Sequence, residues 1–180
     1  MINELLRNTG DFGNLTNSYN NIGYSYNHLQ DYKEAYKAFK QALFMDDQHG
    51  NNLMNKAITY INLGICSQNM GNYDDALKNL NEAKQIYVEK QAHCEIARIY
   101  NIIALVYIQK KDYYNASIYS TKGVDLAKTH QCIDALQQCY LTSSNIAQFS
   151  DDYENALQYY KYYLSVRDSL LLEQRFKEQN

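Results

Sequence analysis

The sequence repeats one helix-start motif at a nearly constant spacing. An Asp or Asn is followed at once by Tyr and, three residues after the Tyr, by Ala; the four alanines are Ala35, Ala76, Ala116 and Ala156. Each alanine follows the previous one after about 40 residues, and a fixed period of this length is the signature of a repeat array. Because each unit of an array contacts mainly its neighbours, the array offers an extended surface rather than a closed pocket, which favours binding over catalysis.

The composition predicts helices throughout. The 180 residues include no Pro, no Trp, seven Gly and 19 Tyr. Helix breakers are therefore rare, and nothing supplies the turn chemistry of a strand-rich fold. We expect an all-α fold.

Each unit is predicted to contain two helices. The first carries a small residue that allows a neighbouring helix to approach closely; these residues are Gly23, Gly64, Ala104 and Ser144. The second begins at the repeated motif, whose Asp or Asn side chain can cap free amide groups. Four residues after the alanine, an apolar residue recurs in three units and Ser120 replaces it in the third. Such spacing predicts one buried stripe per helix.

These residues resemble the tetratricopeptide repeat. The first unit carries Tyr19, Ile22-Gly23, Tyr26, Ala35, Phe39 and Ala42, and the second carries Tyr60, Leu63-Gly64, Tyr73, Ala76 and Ala83. The units are longer than the common unit of about 34 residues, and they lack its terminal proline. In length they resemble those of kinesin light chain and of Gram-positive peptide-pheromone receptors. The resemblance implies a right-handed superhelix of antiparallel helix pairs, an αα-solenoid, with a concave face that binds proteins or peptides.

The register divides the chain into three parts. Residues 14–164 are predicted to form four repeats, and residues 1–13 are predicted to be the remnant of a preceding repeat or an N-terminal cap. Residues 165–180 are predicted to be a C-terminal helical extension or cap. This tail resembles those that join repeat arrays to kinases, cyclases or DNA-binding modules in bacterial signalling proteins. The resemblance therefore implies the sensory or docking region of such a protein.

The resemblance also implies which side chains face the concave side. They lie on the first helix of each unit: Asn20, Asn21, Tyr24, Asn27, Ile61, Asn62, Ile65, Asn69, Arg98, Asn101, Leu105, Gln109, Gln138 and Asn145. Asn and Gln side chains offer both donors and acceptors, so a line of them suits the backbone of an extended peptide. The clamp that the family uses for C-terminal carboxylates needs several Lys and Arg, whereas Arg98 is the only formal charge here.

The sequence predicts no enzyme and no cofactor. It contains no Gly-rich phosphate loop, no H-E-x-x-H and no strand for a nucleophile elbow. A net charge of -3 with interspersed signs gives no basic stripe, so we expect no nucleic-acid contact. No segment is apolar enough to insert into a membrane. The compartment is left open, with the cytoplasm slightly favoured and the periplasm possible for part of a membrane-bound sensor.

Two alternatives to peptide binding remain. The four cysteines lack close pairing, and a helical array needs no disulfides, so we expect packed thiols and no metal site. His93-Cys94 with His130 and Cys132 nevertheless fall in successive inter-repeat loops, which leaves a metal- or redox-responsive module open. The other alternative is a structural module that forms homodimers through outer tyrosines such as Tyr159 and Tyr162.

Overall fold

The computed structural model describes the backbone of residues 12–49 and 52–178 and the side chains of residues 14–48 and 52–169. Within these ranges the chain forms eight helices and no strand. The helices are α1 (Phe12–His28), α2 (Tyr32–His49), α3 (Leu53–Asn69), α4 (Tyr73–Glu89), α5 (His93–Gln109), α6 (Tyr113–Thr129), α7 (Ile133–Phe149) and α8 (Tyr153–Glu178). The all-α prediction is confirmed, with two helices for each predicted repeat. Most of the predicted segment 1–13 lies outside the described residues.

Consecutive helices pair into hairpins at the predicted small residues. A β-carbon on Gly23 would lie 2.6 Å from the Phe39 ring, and one on Gly64 would lie 2.8 Å from Leu80 Cγ and 3.3 Å from the Ala76 carbonyl oxygen. These distances leave no room for a larger side chain. In the first two hairpins, the first helix therefore packs its small residue directly under the apolar residue of the second, as the register predicts.

The turns inside the hairpins share one backbone conformation. A residue of positive φ follows each first helix: Gln30 (60°), Gly71 (78°), Lys111 (59°) and Asp151 (58°). The backbone amide of this residue and that of the next residue donate to carbonyl oxygens in the last turn of the preceding helix. In the second repeat, Gly71 donates to Gln68 and Asn72 donates to Ser67. This is the Schellman arrangement that ends many helices. Only one of the four positions holds the glycine that such a φ favours.

The second helices begin at side-chain caps. An oxygen of Asp31 accepts from the Glu34 amide at 3.3 Å, and Asp112 and Asp152 accept in the same way from the amides three residues later. The amide of the capped residue is one that a helix cannot satisfy itself. Hydrogen bonds from Asn115 hold the pKa of the Asp112 carboxyl below its usual value. The capping prediction is confirmed for these three helices.

The described part of the chain divides into two compact units, with the boundary between Tyr87 and Val88 near the end of α4. The first has a buried cluster of Ala35, Phe39, Leu43, Leu63 and Cys66. In the second, Ala104, Ala116 and Ile146 form one cluster and Val124, Cys139 and Tyr140 form another. Each cluster joins the second helix of one repeat to the first helix of the next.

The last helix continues past the fourth repeat. α8 runs from Tyr153 to Glu178 without a break, so the predicted extension is helical. Tyr163 and Val166 pack against the cluster that contains Cys139 and Tyr140. At Val166, the start of the extension therefore contacts α6 and α7.

Candidate functional site

In the first unit, α1 and α3 lie side by side and are joined through polar side chains. The Thr59 hydroxyl lies 3.2 Å from Asn20 Oδ1, and Asn62 Nδ2 donates to the Tyr24 hydroxyl at 2.9 Å. The Asn20 contact is buried, whereas Asn62 and Tyr24 meet at the surface. Tyr24 is fixed from below by an edge-on contact with the Phe39 ring, with 5.5 Å between centroids. This face therefore presents an oriented phenol and amide.

The other predicted residues of the first unit lie on the same two helices as this pair. Asn21 and Asn69 are exposed, and Ile61, Ile65 and Asn27 are half-buried. Ile58, on the same helix as Asn62, is 40% exposed. The face thus combines amide groups with apolar side chains and carries no formal charge at these positions.

In the second unit, the corresponding face belongs to α5 and α7. Arg98, Gln109 and Gln138 are exposed, while Leu105 and Asn145 are half-buried. Arg98 makes a 3.9 Å ion pair with Asp134 in which both side chains remain largely in solvent. Such a pair contributes little to stability. Within the described part of the chain, the amide groups of Gln109, Gln138 and Asn145 make no hydrogen bond, so they remain available to a ligand.

Two predicted residues are buried rather than open to solvent. Asn20 is 8% exposed and Asn101 is 5% exposed. Asn20 contacts Thr59 on the neighbouring first helix, and in both units the next residue, Asn21 or Ile102, is the more exposed one. Asn101 Oδ1 is buried without a hydrogen-bond partner among the described residues. The structure therefore places these two side chains in helix packing.

The cysteine prediction is wrong for one pair. Cys94, in the first turn of α5, and Cys132, which precedes α7, form a disulfide with their α-carbons 5.3 Å apart. That separation lies within the normal range for a disulfide. The two residues are 38 positions apart in sequence, so only the side-by-side packing of α5 and α7 brings them together. Next to the bridge, the His93 and His130 rings stack with centroids 3.7 Å apart.

The other two cysteines are buried thiols, as predicted. Burial raises the pKa of Cys66 to about 11 and that of Cys139 to about 12, because a buried thiolate loses its hydration. Both side chains therefore stay protonated and act as small apolar groups at neutral pH.

A polar cleft lies between the third and fourth repeats, at a point that the sequence indicated only as a break in the repeat pattern. Ser120 occupies the register position of Phe39 and Leu80, and its hydroxyl lies 2.6 Å from that of Ser143. A cleft of about 220 Å³ opens beside this pair, lined also by Ser117, Thr121 and Asn155. At this one register position, hydroxyl groups therefore replace the apolar contact made by Phe39 and Leu80 in the first two repeats.

The described residues contain no group of three or more His, Cys, Asp or Glu side chains arranged to hold a metal ion. Nor is any helix in the described ranges long and apolar enough to cross a membrane.

The all-α fold and the face formed by the first helices of the repeats together define a helical-repeat scaffold. The family model for the tetratricopeptide repeat matches residues 14–89 and 55–129, more than half of the sequence. The chain belongs to the tetratricopeptide repeat family. Repeats of this family form extended surfaces that bind proteins or peptides. No curated protein has a matching sequence.

Solved structures show the same fold at low sequence identity. BtubC (BKLC) from P. vanneervenii is 15% identical with a TM-score of 0.75, covering 93% of this chain and 78% of that one. The apo form of RapI is 16% identical with a TM-score of 0.74, covering 86% of this chain and 56% of RapI. TPR-like repeats described as those of a kinesin light chain of Podosopora anserina are 10% identical with a TM-score of 0.65, covering 85% and 75%. These similarities confirm the αα-solenoid class.

Proposed function

We propose that the chain is a non-enzymatic scaffold that binds an extended peptide or protein segment along the first helices of its repeats. The observation that carries this proposal is the set of unpaired amides beside apolar side chains on α5 and α7. Gln109, Gln138 and Asn145 are without internal hydrogen bonds in the described residues, and Leu141 is 36% exposed. An extended peptide exposes backbone donors and acceptors together with side chains, which is the pattern this face matches.

The charge of the face defines the class of ligand further. Arg98 is the only formal charge at the predicted positions, and it already lies near Asp134. A ligand recognised mainly by its carboxylates would find few partners here. We therefore propose a neutral segment with apolar side chains, bound through its backbone amides.

The C-terminal extension, residues 165–180, suggests a role in signalling. α8 continues as one helix to Glu178, and its sequence resembles the helices that join repeat arrays to effector modules in bacterial signalling proteins. We propose that the chain is the sensory or docking region of a protein of this kind. Ligand binding to the repeats would then be transmitted through α8.

A peptide-display selection on the purified chain tests the binding proposal. Once a peptide is obtained, calorimetry compares Asn62→Ala and Asn145→Ala with the parent chain. Loss of one ligand hydrogen bond costs about 1 kcal/mol, or about fivefold in affinity. Gln85→Ala is the matched control, since Gln85 is an exposed amide on the second helix of its repeat.

Two outcomes would contradict peptide binding along the first helices of the repeats. One is that no peptide is enriched over a scrambled pool. The other is that Asn62→Ala and Asn145→Ala bind as tightly as the Gln85→Ala control. Asn101→Ala belongs in a separate stability experiment, because Asn101 is buried.

Self-association is a second candidate, favoured by exposed side chains on α8. Tyr153 is 65% exposed, Leu157 is 56% exposed and Tyr160 is 43% exposed. Tyr159, which the sequence suggested for this role, instead packs against the cluster that contains Tyr140. If the exposed three form an interface, light scattering should give a dimer mass for the parent chain and a monomer mass for Tyr160→Lys. A parent chain that is monomeric at high concentration excludes this candidate.

A further inference from the structure

The Cys94–Cys132 disulfide joins the first helices of two neighbouring repeats. Cys94 is the second residue of α5, and Cys132 is the N-cap residue of α7. All four cysteines lie in the described ranges, and the other two, Cys66 and Cys139, are free thiols. Neither bridge cysteine is among the predicted peptide-binding positions. The bridge therefore ties the start of α5 to the start of α7 independently of any ligand.

We propose that this bridge is a redox switch that a dithiol reductant opens by attack on Cys94, and that opening it loosens the starts of α5 and α7. The reaction partner is thus a small or protein dithiol. The two helix starts that are loosened carry Arg98 and Gln138 of the predicted face. Reduction therefore changes the rigidity of that face, whatever ligand it binds.

The non-covalent contacts at this end of the two helices are small. The buried cluster there includes only Ala97 and Cys94 itself from α5, and an alanine contributes a single methyl group. The ion pair between Arg98 and Asp134 lies largely in solvent and contributes little. Towards the end of α7, the larger Ile146 packs in a separate cluster with α5 and α6. Without the disulfide, the helix starts are therefore held more weakly than the helix ends.

Reagents in solvent reach the bridge from the Cys94 side. Cys94 is half-buried, whereas Cys132 is 5% exposed. His93 directly precedes Cys94, and its ring stacks on that of the exposed His130, so no apolar layer closes this side. An incoming thiolate should therefore attack Cys94 Sγ, and Cys132 should be the leaving sulfur.

The position of Cys132 suits a leaving thiolate. As the N-cap residue of α7, it makes no side-chain cap hydrogen bond while it is in the disulfide. The first amides of a helix have no partner within the helix, and the helix N-terminus carries partial positive charge. These amides can replace the hydration that a buried sulfur lacks. A thiolate released there is stabilised, and a more stable leaving thiolate departs faster.

The reduction balances in two exchange steps. In the first, a thiolate of the reductant attacks Cys94 Sγ, the sulfur–sulfur bond breaks, and Cys132 leaves with the electron pair and takes up a proton. In the second, the other thiol of the reductant loses its proton, attacks the mixed disulfide and releases the Cys94 thiolate, which is then protonated. The protein has gained two electrons and two protons, and the reductant has lost them as its own disulfide. An external disulfide reverses both steps.

Thiol exchange at neutral pH tests which sulfur reacts. The folded, oxidised chain is treated with millimolar dithiothreitol and then alkylated with iodoacetamide. We expect new label on Cys94 and Cys132, while Cys66 and Cys139 stay unlabelled in the folded chain. A thioredoxin whose resolving cysteine is replaced by serine should be trapped as a mixed disulfide on Cys94. Mass spectrometry of digests identifies the trapped residue.

Hydrogen exchange measures whether opening the bridge loosens the two helix starts. Because the bridge limits the freedom of a locally open state, its reduction should speed amide exchange there by about tenfold or more. The affected peptides should be those that cover residues 93–100 and 132–140, while exchange in α3 of the first unit should be unchanged. Cys94→Ser, without any reductant, should reproduce the pattern of the reduced parent chain.

Two controls separate the bridge from other effects of the reductant. Dithiothreitol should change nothing further in Cys94→Ser, and Cys66→Ala should respond to it as the parent chain does. The proposal is overturned if the bridge is reduced only in urea, or if thioredoxin is trapped on Cys132. Unchanged exchange at the two helix starts also overturns it, as does equal acceleration in α3. Peptide affinity enters none of these measurements, so their outcome is independent of the proposed function.

Discussion

Gly64 lies directly under Leu80: a β-carbon at Gly64 would be 2.8 Å from Leu80 Cγ. The same relationship joins Gly23 to the Phe39 ring at 2.6 Å. In both hairpins the small residue and the large one occupy the same two register positions of the repeat. The close approach of the two helices therefore depends on the glycine.

The first prediction concerns Gly64→Leu. The added side chain has no free volume beneath Leu80, so the free energy of unfolding should fall by about 1 to 3 kcal/mol. Urea denaturation measures this loss. Adding Leu80→Ala should make room for the new side chain, so the double variant should be more stable than the sum of the single changes predicts. An unchanged urea midpoint for Gly64→Leu would contradict the packing described here.

The second prediction concerns the positive-φ turns. Lys111 has φ 59°, a conformation that costs a non-glycine residue about 1–2 kcal/mol, while glycine loses about 0.5–1 kcal/mol more backbone entropy on folding. Lys111→Gly should therefore raise the free energy of unfolding by about 0.5–1 kcal/mol. Gly71→Ala is the opposite experiment, since no atom lies within 4 Å of the added carbon and only strain remains. It should be less stable than the parent in the same urea series.

The third prediction concerns the buried thiols. Because Cys66 and Cys139 have pKa values of about 11 and about 12, folded protein at neutral pH should react slowly with iodoacetamide at both sites. Unfolded protein should react at once. Mass spectrometry of digests identifies the modified residues. Rapid alkylation of either cysteine in the folded chain would show that the helices packed around it separate and expose the thiol.

The same thiols predict a stability change at high pH. Their folded pKa values exceed the ordinary 9.0, so the unfolded chain releases these protons first. The contribution of the thiols is fully present below about pH 9 and is lost progressively as the pH rises towards their folded pKa values. Urea melts at pH 8 and pH 10 measure the slope. Cys66→Ala should flatten it relative to the parent.

The fourth prediction concerns the start of the extension. Val166 packs on the cluster of Val124, Cys139 and Tyr140, so Val166→Ala should lower the free energy of unfolding by about 1 kcal/mol. Ser165 is its exposed neighbour, and Ser165→Ala should have little effect. Thermal melts of both variants make the comparison. Equal melting temperatures would mean that α8 beyond the repeat does not cover the last hairpin.

The sequence by itself determined the repeat and the hairpin. Asp112 caps its helix through the amide three residues later, and Gly64 meets Leu80 within one hairpin. Both interactions link residues at short, fixed separations. The constant period of the motif therefore predicts them in each copy that keeps the motif residues. The turn conformation escaped prediction, because Gln30, Lys111 and Asp151 adopt the positive φ without being glycine.

Only the tertiary structure decided which asparagines are buried and which cysteines pair. Asn101 and Asn145 both belong to the predicted face, yet Asn101 is buried and Asn145 is half-buried. Cys94 and Cys132 are partners although 38 positions separate them in the sequence. These outcomes depend on how one repeat is placed against the next. That placement results from many individually weak contacts between helices, so no single sequence motif predicts it.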